Sequence, residues 1–404
     1  MTAESVRVGM TGLGGRGAGL LRNCLELEQA KIVAICDAQE RHLETATNRI
    51  TEADDEAPRQ FSSHQQMVTE ADLDAVIIAS PWHLHIPMAI EAMRAGVDAA
   101  IEVGPASSVE ECWELVRTAE QTGQRCMLLE NCCYGSKELA LLRMVRNGLF
   151  GDLVHCQCGY GHDLRAGLVT GKSSRIKYGE GRDFRGMNHE KRNGDLYPTH
   201  GVGPMAQLLE INRGNRFVSL TSTASKAAGL TAWAEEHLPA DHPRRDVDWT
   251  HGDIITTTIR CANGESLVVT HDVSLPRPYS RMYRVQGTNG LWQDDGDLLY
   301  LEDESPDHEW ESFEPYEEEW EHSLWTDYRA EGVRAGHGGM DYLMLREFVS
   351  HVAIDEPLPI DVYDAAAWMA ISPLSEASIG AGSDAVTFPD FTNGRWLVRE
   401  STFP

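Results

Sequence analysis

Residues 8–17 read Val-Gly-Met-Thr-Gly-Leu-Gly-Gly-Arg-Gly. Val6, Val8 and Met10 alternate like one face of a short strand, and Ala18 to Glu28 carries a helical pattern. Between them Gly12, Gly14 and Gly17 stand in Gly-x-Gly-x-x-Gly spacing. The first glycine permits a tight turn and the second lets backbone approach a pyrophosphate. The third brings the helix close to the strand, with its N-terminal amides facing the anion. A second strand, Lys31 to Ile35, leads to Asp37, twenty residues past Gly17. An acid at that point bonds both ribose hydroxyls and repels a 2′-phosphate. The loop is therefore predicted to bind NAD in preference to NADP. Arg16, inside the loop, is the residue suited to a 2′-phosphate.

The same alternation continues downstream. Asp74 to Ala79, Asp98 to Glu102 and Cys126 to Leu129 read as buried strands, separated by helices at Pro87 to Ala95 and after Ser108. Ser108 and Glu111 have capping-box spacing. Units of this length predict a parallel sheet covered on both faces, with ligands beyond the carboxyl ends of its strands. Those ends hold Gly12, Leu13, Gly14, Gly15, Arg16, Gly17 and Asp37, then Ser80, Pro81, Trp82 and His85, and finally Glu102, Val103 and Asn131. All of these are predicted to line the cofactor.

At 404 residues the chain calls for two domains. The texture changes after a helix at Ser136 to Asn147. Leu153 to Gly159, Arg216 to Ala224, Asp253 to Cys261, Glu265 to Val273 and Arg281 to Gly287 read as strands with alternating polar faces. The predicted fold is an α/β Rossmann domain over 1–134, followed by an α+β substrate domain over 135–404. The second domain is built on a large, mostly antiparallel open sheet. An uncovered sheet face implies a homodimer or homotetramer. The polar stretch Asp163 to Asn193 is long enough to be a functional loop.

Composition narrows the partners. Sixty-three acids against 35 bases give a formal charge of −28, which repels nucleic acid and anionic membranes alike. No apolar run reaches spanning length, and no basic segment with an apolar stretch opens the chain, so a cytoplasmic protein is expected. The nine cysteines show no ligand spacing. They read as reduced, buried thiols, and no metal is expected. The tract from Val285 to Tyr328 lacks lysine and arginine but carries five tryptophan, tyrosine and phenylalanine side chains between Trp310 and Trp325. That mixture fits a solvated sheet edge or an extended arm.

Several residues have the chemistry for catalysis. Tyr197 and His200 flank Pro198 at a loop-to-helix junction; a capping or core histidine is the competing reading of His200. Tyr160 and His162 occupy alternate positions at a strand end, and Gly336-His-Gly-Gly-Met340 presents His337 from a glycine-rich turn. Glu102, Glu130, Tyr134, Tyr279 and Asp341 complete the set, with half-buried packing as the alternative for each tyrosine. Arginines 165, 175, 182, 185 and 192 suit either an anionic ligand or simple loop solubility.

The order of domains and the glycine loop resemble the Gfo/Idh/MocA superfamily of NAD(P)-dependent sugar and polyol enzymes. That resemblance implies a Glu-Lys-Pro motif closing the Rossmann half, with a catalytic lysine. Here the motif is Glu102-Val-Gly-Pro105, without lysine. A narrower branch that also lacks the lysine, glycoside hydrolase family 109, is similar along nearly the whole chain. The matching stretches include Ser80-Pro-Trp, Met127-Leu-Leu-Glu-Asn-Cys-Cys-Tyr-Gly135 and Gly159-Tyr-Gly-His-Asp163. They continue in Lys191-Arg-Asn-Gly-Asp-Leu-Tyr-Pro-Thr-His-Gly201, Leu275-Pro-Arg-Pro-Tyr-Ser280 and Gly336-His-Gly-Gly-Met-Asp341. Gly104 and the 167–190 region depart from the branch.

The resemblance implies a glycosidase, typified by α-N-acetylgalactosaminidase, in which NAD is tightly bound and recycled. Transient oxidation at C3 acidifies C2, a base removes that proton, the C1 leaving group departs, water adds and the hydride returns. No flanking carboxylate pair is required. It implies Tyr160 as the base, His200 with Tyr197 at the C3 hydroxyl, and Glu130 orienting sugar hydroxyls. Tyr134, His162, Arg192, Tyr279 and His337 then bind a small-molecule glycoside. The alternatives are a net sugar or polyol dehydrogenase, and a glycosidase for a sulfonated or acidic sugar.

Overall fold

The computed structural model describes residues 5–53, 56–171, 184–331 and 337–404. Two compact units emerge. The first comprises Met1–Leu139, Glu321–Ala367 and Arg399–Pro404, the second Ala140–Trp320 and Trp368–Val398. A single boundary after residue 134 thus understates how often the chain passes between units. The reason is the helix Met340–Ala353, whose Leu343, Met344, Leu345 and Phe348 are fully buried. It packs on the helix Gly15–Cys24 and the turn Asn131–Tyr134 of the first unit.

The first unit holds a six-stranded parallel sheet: β1 (Val6–Thr11), β2 (Ala30–Cys36), β3 (Arg59–Phe61), β4 (Ala75–Ile78), β5 (Asp98–Glu102) and β6 (Cys126–Leu129). Their order is β3-β2-β1-β4-β5-β6, so the direction of winding switches between β1 and β4. Every residue of β4, β5 and β6 is buried, as two-sided helical cover requires. The helix Val109–Thr122 starts on Ser108, whose Oγ accepts from the Glu111 amide at 3.1 Å. The Glu111 carboxylate reaches the amide of Ser107 at 2.8 Å, one residue earlier than a capping box places it.

The second unit holds nine strands: β7 (Leu153–Gly161), β8 (Phe217–Ala224), β9 (Ile254–Cys261), β10 (Ser266–Asp272), β11 (Arg284–Gly287), β12 (Gly290–Gln293), β13 (Leu298–Leu301), β14 (Glu311–Ser312) and β15 (Val386–Thr387). Their order is β14-β13-β12-β11-β7-β10-β9-β8-β15. All pairings are antiparallel except β7 with β10, which run parallel. Ile255, Thr257, Ile259 and Cys261 of β9 are buried while Thr256, Thr258 and Arg260 face out, so one face is covered and the other open. The helices Thr199–Leu208 and Ile371–Gly380 cover β7 and β8. The lysine-free tract supplies the β12–β14 edge, anchored by fully buried Trp292 and Phe313, whose rings lie 5.5 Å apart. All nine cysteines are free and buried. Among the described residues no helix is long and apolar enough to cross a membrane.

Candidate functional site

The glycine loop follows β1, and each glycine has its own reason. Gly12 has φ +83°, and a Cβ there would stand 2.7 Å from the Ala79 carbonyl. A Cβ on Gly17 would stand 1.8 Å from the Gly12 oxygen, so only glycine lets the helix sit this close to the turn. Gly14 is different. An added Cβ would meet nothing nearer than His42 Cε1 at 4.0 Å, so the protein's own packing does not demand glycine there. Space beside an N-terminal turn with no acid in it and no side-chain cap fits a pyrophosphate. Asp37, just past β2, accepts from the Leu13 amide at 2.7 Å and the Gln39 amide at 2.8 Å. Its carboxylate is thereby fixed beside the loop, in the place suited to ribose hydroxyls.

Arg16 is committed elsewhere. Its Nε donates to Glu102 Oε1 at 2.7 Å, and its two terminal nitrogens donate to the Asp341 carboxylate at 2.6 and 2.9 Å. Asn131 Nδ2 donates to the same carboxylate at 2.8 Å. Burial works against the guanidinium charge, and the two carboxylates outweigh it, raising the group further above its usual value. A guanidinium so paired offers little to a 2′-phosphate, which removes the one residue that favoured NADP. The residues present fit NAD.

The remaining loops of the first unit brace one another. His85, 1% exposed, bonds the Ser80 carbonyl through Nε2 at 2.6 Å. Burial pushes its imidazole down to about 4, against the pull of the Ser80 and Glu102 backbone. Gly104 has a packing reason: a Cβ would stand 2.5 Å from Trp82 Cδ1, so the inserted glycine admits the indole. Val103 is buried beside it. Glu130 is fully buried, and its Oε1 accepts from the Cys132 amide at 3.1 Å as the cap of the turn Asn131–Tyr134. Tyr134, expected from the sequence to bind the sugar, lies inside the first unit. Its ring is wholly enclosed, 5.3 Å from Phe403, and its carbonyl accepts from Trp325 Nε1 at 3.0 Å. Of His337, the backbone starts the turn His337–Gly339.

In the second unit the predicted residues converge. Tyr160 ends the covered face of β7 and its hydroxyl lies 3.1 Å from His162 Nδ1. The Tyr197 ring is centred 4.6 Å from Tyr160 and 4.9 Å from His200, and His200 is 5.6 Å from Tyr160. Tyr279, half exposed, closes on His162 at 5.2 Å. Gly201 permits this convergence. A Cβ on Gly201 would stand 2.7 Å from the Gly159 amide, so the helix Thr199–Leu208 starts directly against β7. The Tyr283 hydroxyl donates to the His200 carbonyl at 2.5 Å and pins that first turn. Asp195 Oδ1 accepts from the Tyr197 amide at 3.2 Å, and its own amide donates to Ser375 Oγ at 2.8 Å. Burial pushes the Asp195 carboxyl up to about 7.

Two further residues belong to this cluster. Parallel pairing sets His271 of β10 opposite Tyr160, their rings 6.4 Å apart and inclined by 30°. Arg185 lies over the Tyr197 ring at 4.8 Å, from the helix Phe184–Lys191. An antiparallel meander does not bring His271 to Tyr160, so strand spacing alone misses it. Arg192, expected as a substrate ligand, donates through Nε to Glu376 at 2.6 Å. Arg165 is likewise held by Asp163 at 2.7 Å. Arg175 and Arg182 lie outside the described residues.

Comparison with known proteins assigns both halves. Residues 6–129 match a family model described as "Oxidoreductase family, NAD-binding Rossmann fold", and residues 134–398 match "Glycosyl hydrolase 109, C-terminal domain". An alpha-N-acetylgalactosaminidase of Tannerella forsythia is 44% identical over 98% of this chain and 88% of its own length. A glycosyl hydrolase family 109 protein of Stenotrophomonas maltophilia is 41% identical over 99% and 92%. The fold is similar to that of scyllo-inositol dehydrogenase from Lactobacillus casei (TM-score 0.66, 15% identity, 96% and 99% covered). It is also similar to levoglucosan dehydrogenase in complex with NADH and levoglucosan (TM-score 0.70, 19% identity, 96% and 100% covered). Near-full-length identity at this level, with a family-specific second half, leads to one conclusion: the chain belongs to glycoside hydrolase family 109, the NAD-dependent glycosidases.

Proposed function

We propose that the protein hydrolyses an α-linked N-acetylgalactosaminide by elimination and re-addition across C1 and C2, with NAD tightly held and recycled. The observation that carries this reading is the packing of Tyr160, Tyr197 and His200 around the Tyr160–His162 hydrogen bond. Val103 and Gly104, where the wider superfamily carries its lysine, support it too, since ordinary alcohol oxidation then lacks its base.

When bound, NAD supplies a hydride acceptor for the sugar and returns the hydride within the same cycle. The chain's residues manage the protons. His200, oriented by Tyr197, takes the proton of the C3 hydroxyl. Tyr160 Oη takes the C2 proton, made acidic by a ketone at C3, as its own phenolic proton passes to His162 Nδ1. Glu130 orients sugar hydroxyls, and Tyr279 offers an exposed aromatic face to the ring. The C1 leaving group departs, water adds at C1 and its second proton goes to the leaving group, and Tyr160 gives the proton back to C2 as His162 returns the phenolic one.

The test is turnover of nitrophenyl α-N-acetylgalactosaminide in heavy water. Deuterium at C2 of the released sugar, with no net NADH, is the expected result. Release without C2 exchange, or one NADH formed per sugar consumed, overturns the scheme. Tight retention is checked separately, by assaying the NAD set free when the purified protein is denatured.

A further inference from the structure

Three histidines meet in the second unit, behind the Tyr160 ring. His189 comes from the helix Phe184–Lys191, His251 from the segment before β9 and His271 from β10; each is no more than 3% exposed. Their ring centroids are 4.4, 5.2 and 5.9 Å apart. One ring nitrogen from each lies within 4.8 Å of one from each of the others.

The hydrogen bonds at the far side of the rings fix what the near side presents. His189 Nδ1 lies 2.9 Å from the Arg185 carbonyl, and His251 Nε2 lies 2.8 Å from the Gly194 carbonyl. A carbonyl only accepts, so in each ring that nitrogen carries the proton and the other holds a lone pair. His271 Nδ1 faces the Asp195 carboxylate at 3.7 Å. His189 Nε2, His251 Nδ1 and both ring nitrogens of His271 are buried without a hydrogen-bond partner among the described residues, together with Asp195 Oδ2. Buried acceptors gathered in one place need a shared donor or a cation.

We propose that His189, His251 and His271 bind one divalent first-row transition metal, zinc by the character of the donors. Three imidazoles with a water in the fourth position form a set of the kind zinc takes. A carbonyl acceptor behind His189 and behind His251 holds the tautomer and orientation expected of a ligating histidine. The site is buried, so its work is structural. It ties the helix Phe184–Lys191 to β10, fixing His271 under Tyr160. The spacing 189, 251 and 271 carries no recognisable signature, because the three ligands come from separate elements.

The test is elemental analysis of the full-length, untagged protein, isolated without any metal column. About one equivalent of zinc, cobalt or nickel per chain is expected in the isolated or zinc-incubated protein. It should be lost in His271→Gln and His189→Gln and kept in His308→Gln, whose side chain is exposed. Cobalt exchanged into wild type should give the intense visible absorption of a four-coordinate ion. Where a variant fails to fold, the wild-type metal content and cobalt spectrum still decide. Less than about a tenth of an equivalent after zinc incubation and gel filtration overturns the proposal and leaves ordered water as the shared donor. Undiminished metal in both folded glutamine variants overturns it as well.

Discussion

Arg16 and Asp341 form a two-point ion pair across 325 residues of sequence, with Nη1–Oδ2 at 2.6 Å and Nη2–Oδ1 at 2.9 Å. The pair fastens the glycine loop to the helix Met340–Ala353. Glu102 and Asn131 join it from the ends of β5 and β6, so three loops beyond the sheet share one guanidinium–carboxylate centre. Removing one partner leaves a buried charge uncompensated, at a cost of about 3–5 kcal/mol. Arg16→Ala and Asp341→Ala should each lower stability by that order in denaturant unfolding. The double variant should cost less than their sum by more than about 1 kcal/mol. Additive losses would show that the pair contributes no coupling.

Asp37 is expected to set the choice of cofactor. A carboxylate held by the Leu13 and Gln39 amides repels a 2′-phosphate, and Arg16 is not available to attract one. Charged hydrogen bonds contribute about 1.5–3 kcal/mol, so Asp37→Ser should weaken NAD binding roughly 10- to 100-fold. NADP affinity should stay level or rise. Calorimetric titration of both nucleotides reads the ratio, and an unchanged preference for NAD would remove Asp37 from the site.

Tyr160→Phe isolates the proposed base. The ring stays packed against Tyr197 and His200, so the fold should hold while the hydroxyl is lost. Loss of a positioned base lowers kcat by about 10²- to 10⁴-fold. NAD binding should be unaffected, and deuterium exchange at C2 should fall in parallel with kcat. Exchange at the wild-type rate would assign the base elsewhere.

These residues show what a sequence can and cannot display. The glycine loop and Asp37 are legible because their geometry is local: a strand, a turn and a helix within forty residues fix every relevant distance. Tyr160, Tyr197 and His200 are legible through the family motifs that carry them. His271 is not, because only the parallel pairing of β10 with β7 sets it opposite Tyr160. Asp341 could be nominated, but its bond to Arg16 depends on how a late helix returns to the first sheet. The surroundings of Tyr134 are hidden from the sequence in the same way. It follows a strand end in sequence, yet Phe403 and Trp325 enclose it in three dimensions.

Gly201 tests whether close packing of helix on strand holds the catalytic cluster together. An alanine Cβ would stand 2.7 Å from the Gly159 amide and 3.1 Å from Cys158 Sγ. The helix must retreat, at a cost of about 1–3 kcal/mol for an overpacked core. Gly201→Ala should therefore remain folded but lose activity more than stability, since His200 moves with the helix. Wild-type kcat in a folded Gly201→Ala protein would contradict this arrangement.

His85 makes stability depend on pH in a defined direction. Its pKa is about 4 in the fold, against 6.5 for an unburied imidazole. Between those values the unfolded chain takes up a proton that the folded chain refuses, so stability must fall as pH drops below 6.5. The slope is about 1.4 kcal/mol per pH unit for one group. His85→Gln keeps a donor for the Ser80 carbonyl but cannot titrate. The stability advantage of wild type over this variant should therefore shrink by about 2 kcal/mol between pH 7 and pH 5. Other buried histidines affect both proteins equally and cancel in the difference. A constant gap across that range would mean that His85 is not held neutral by burial.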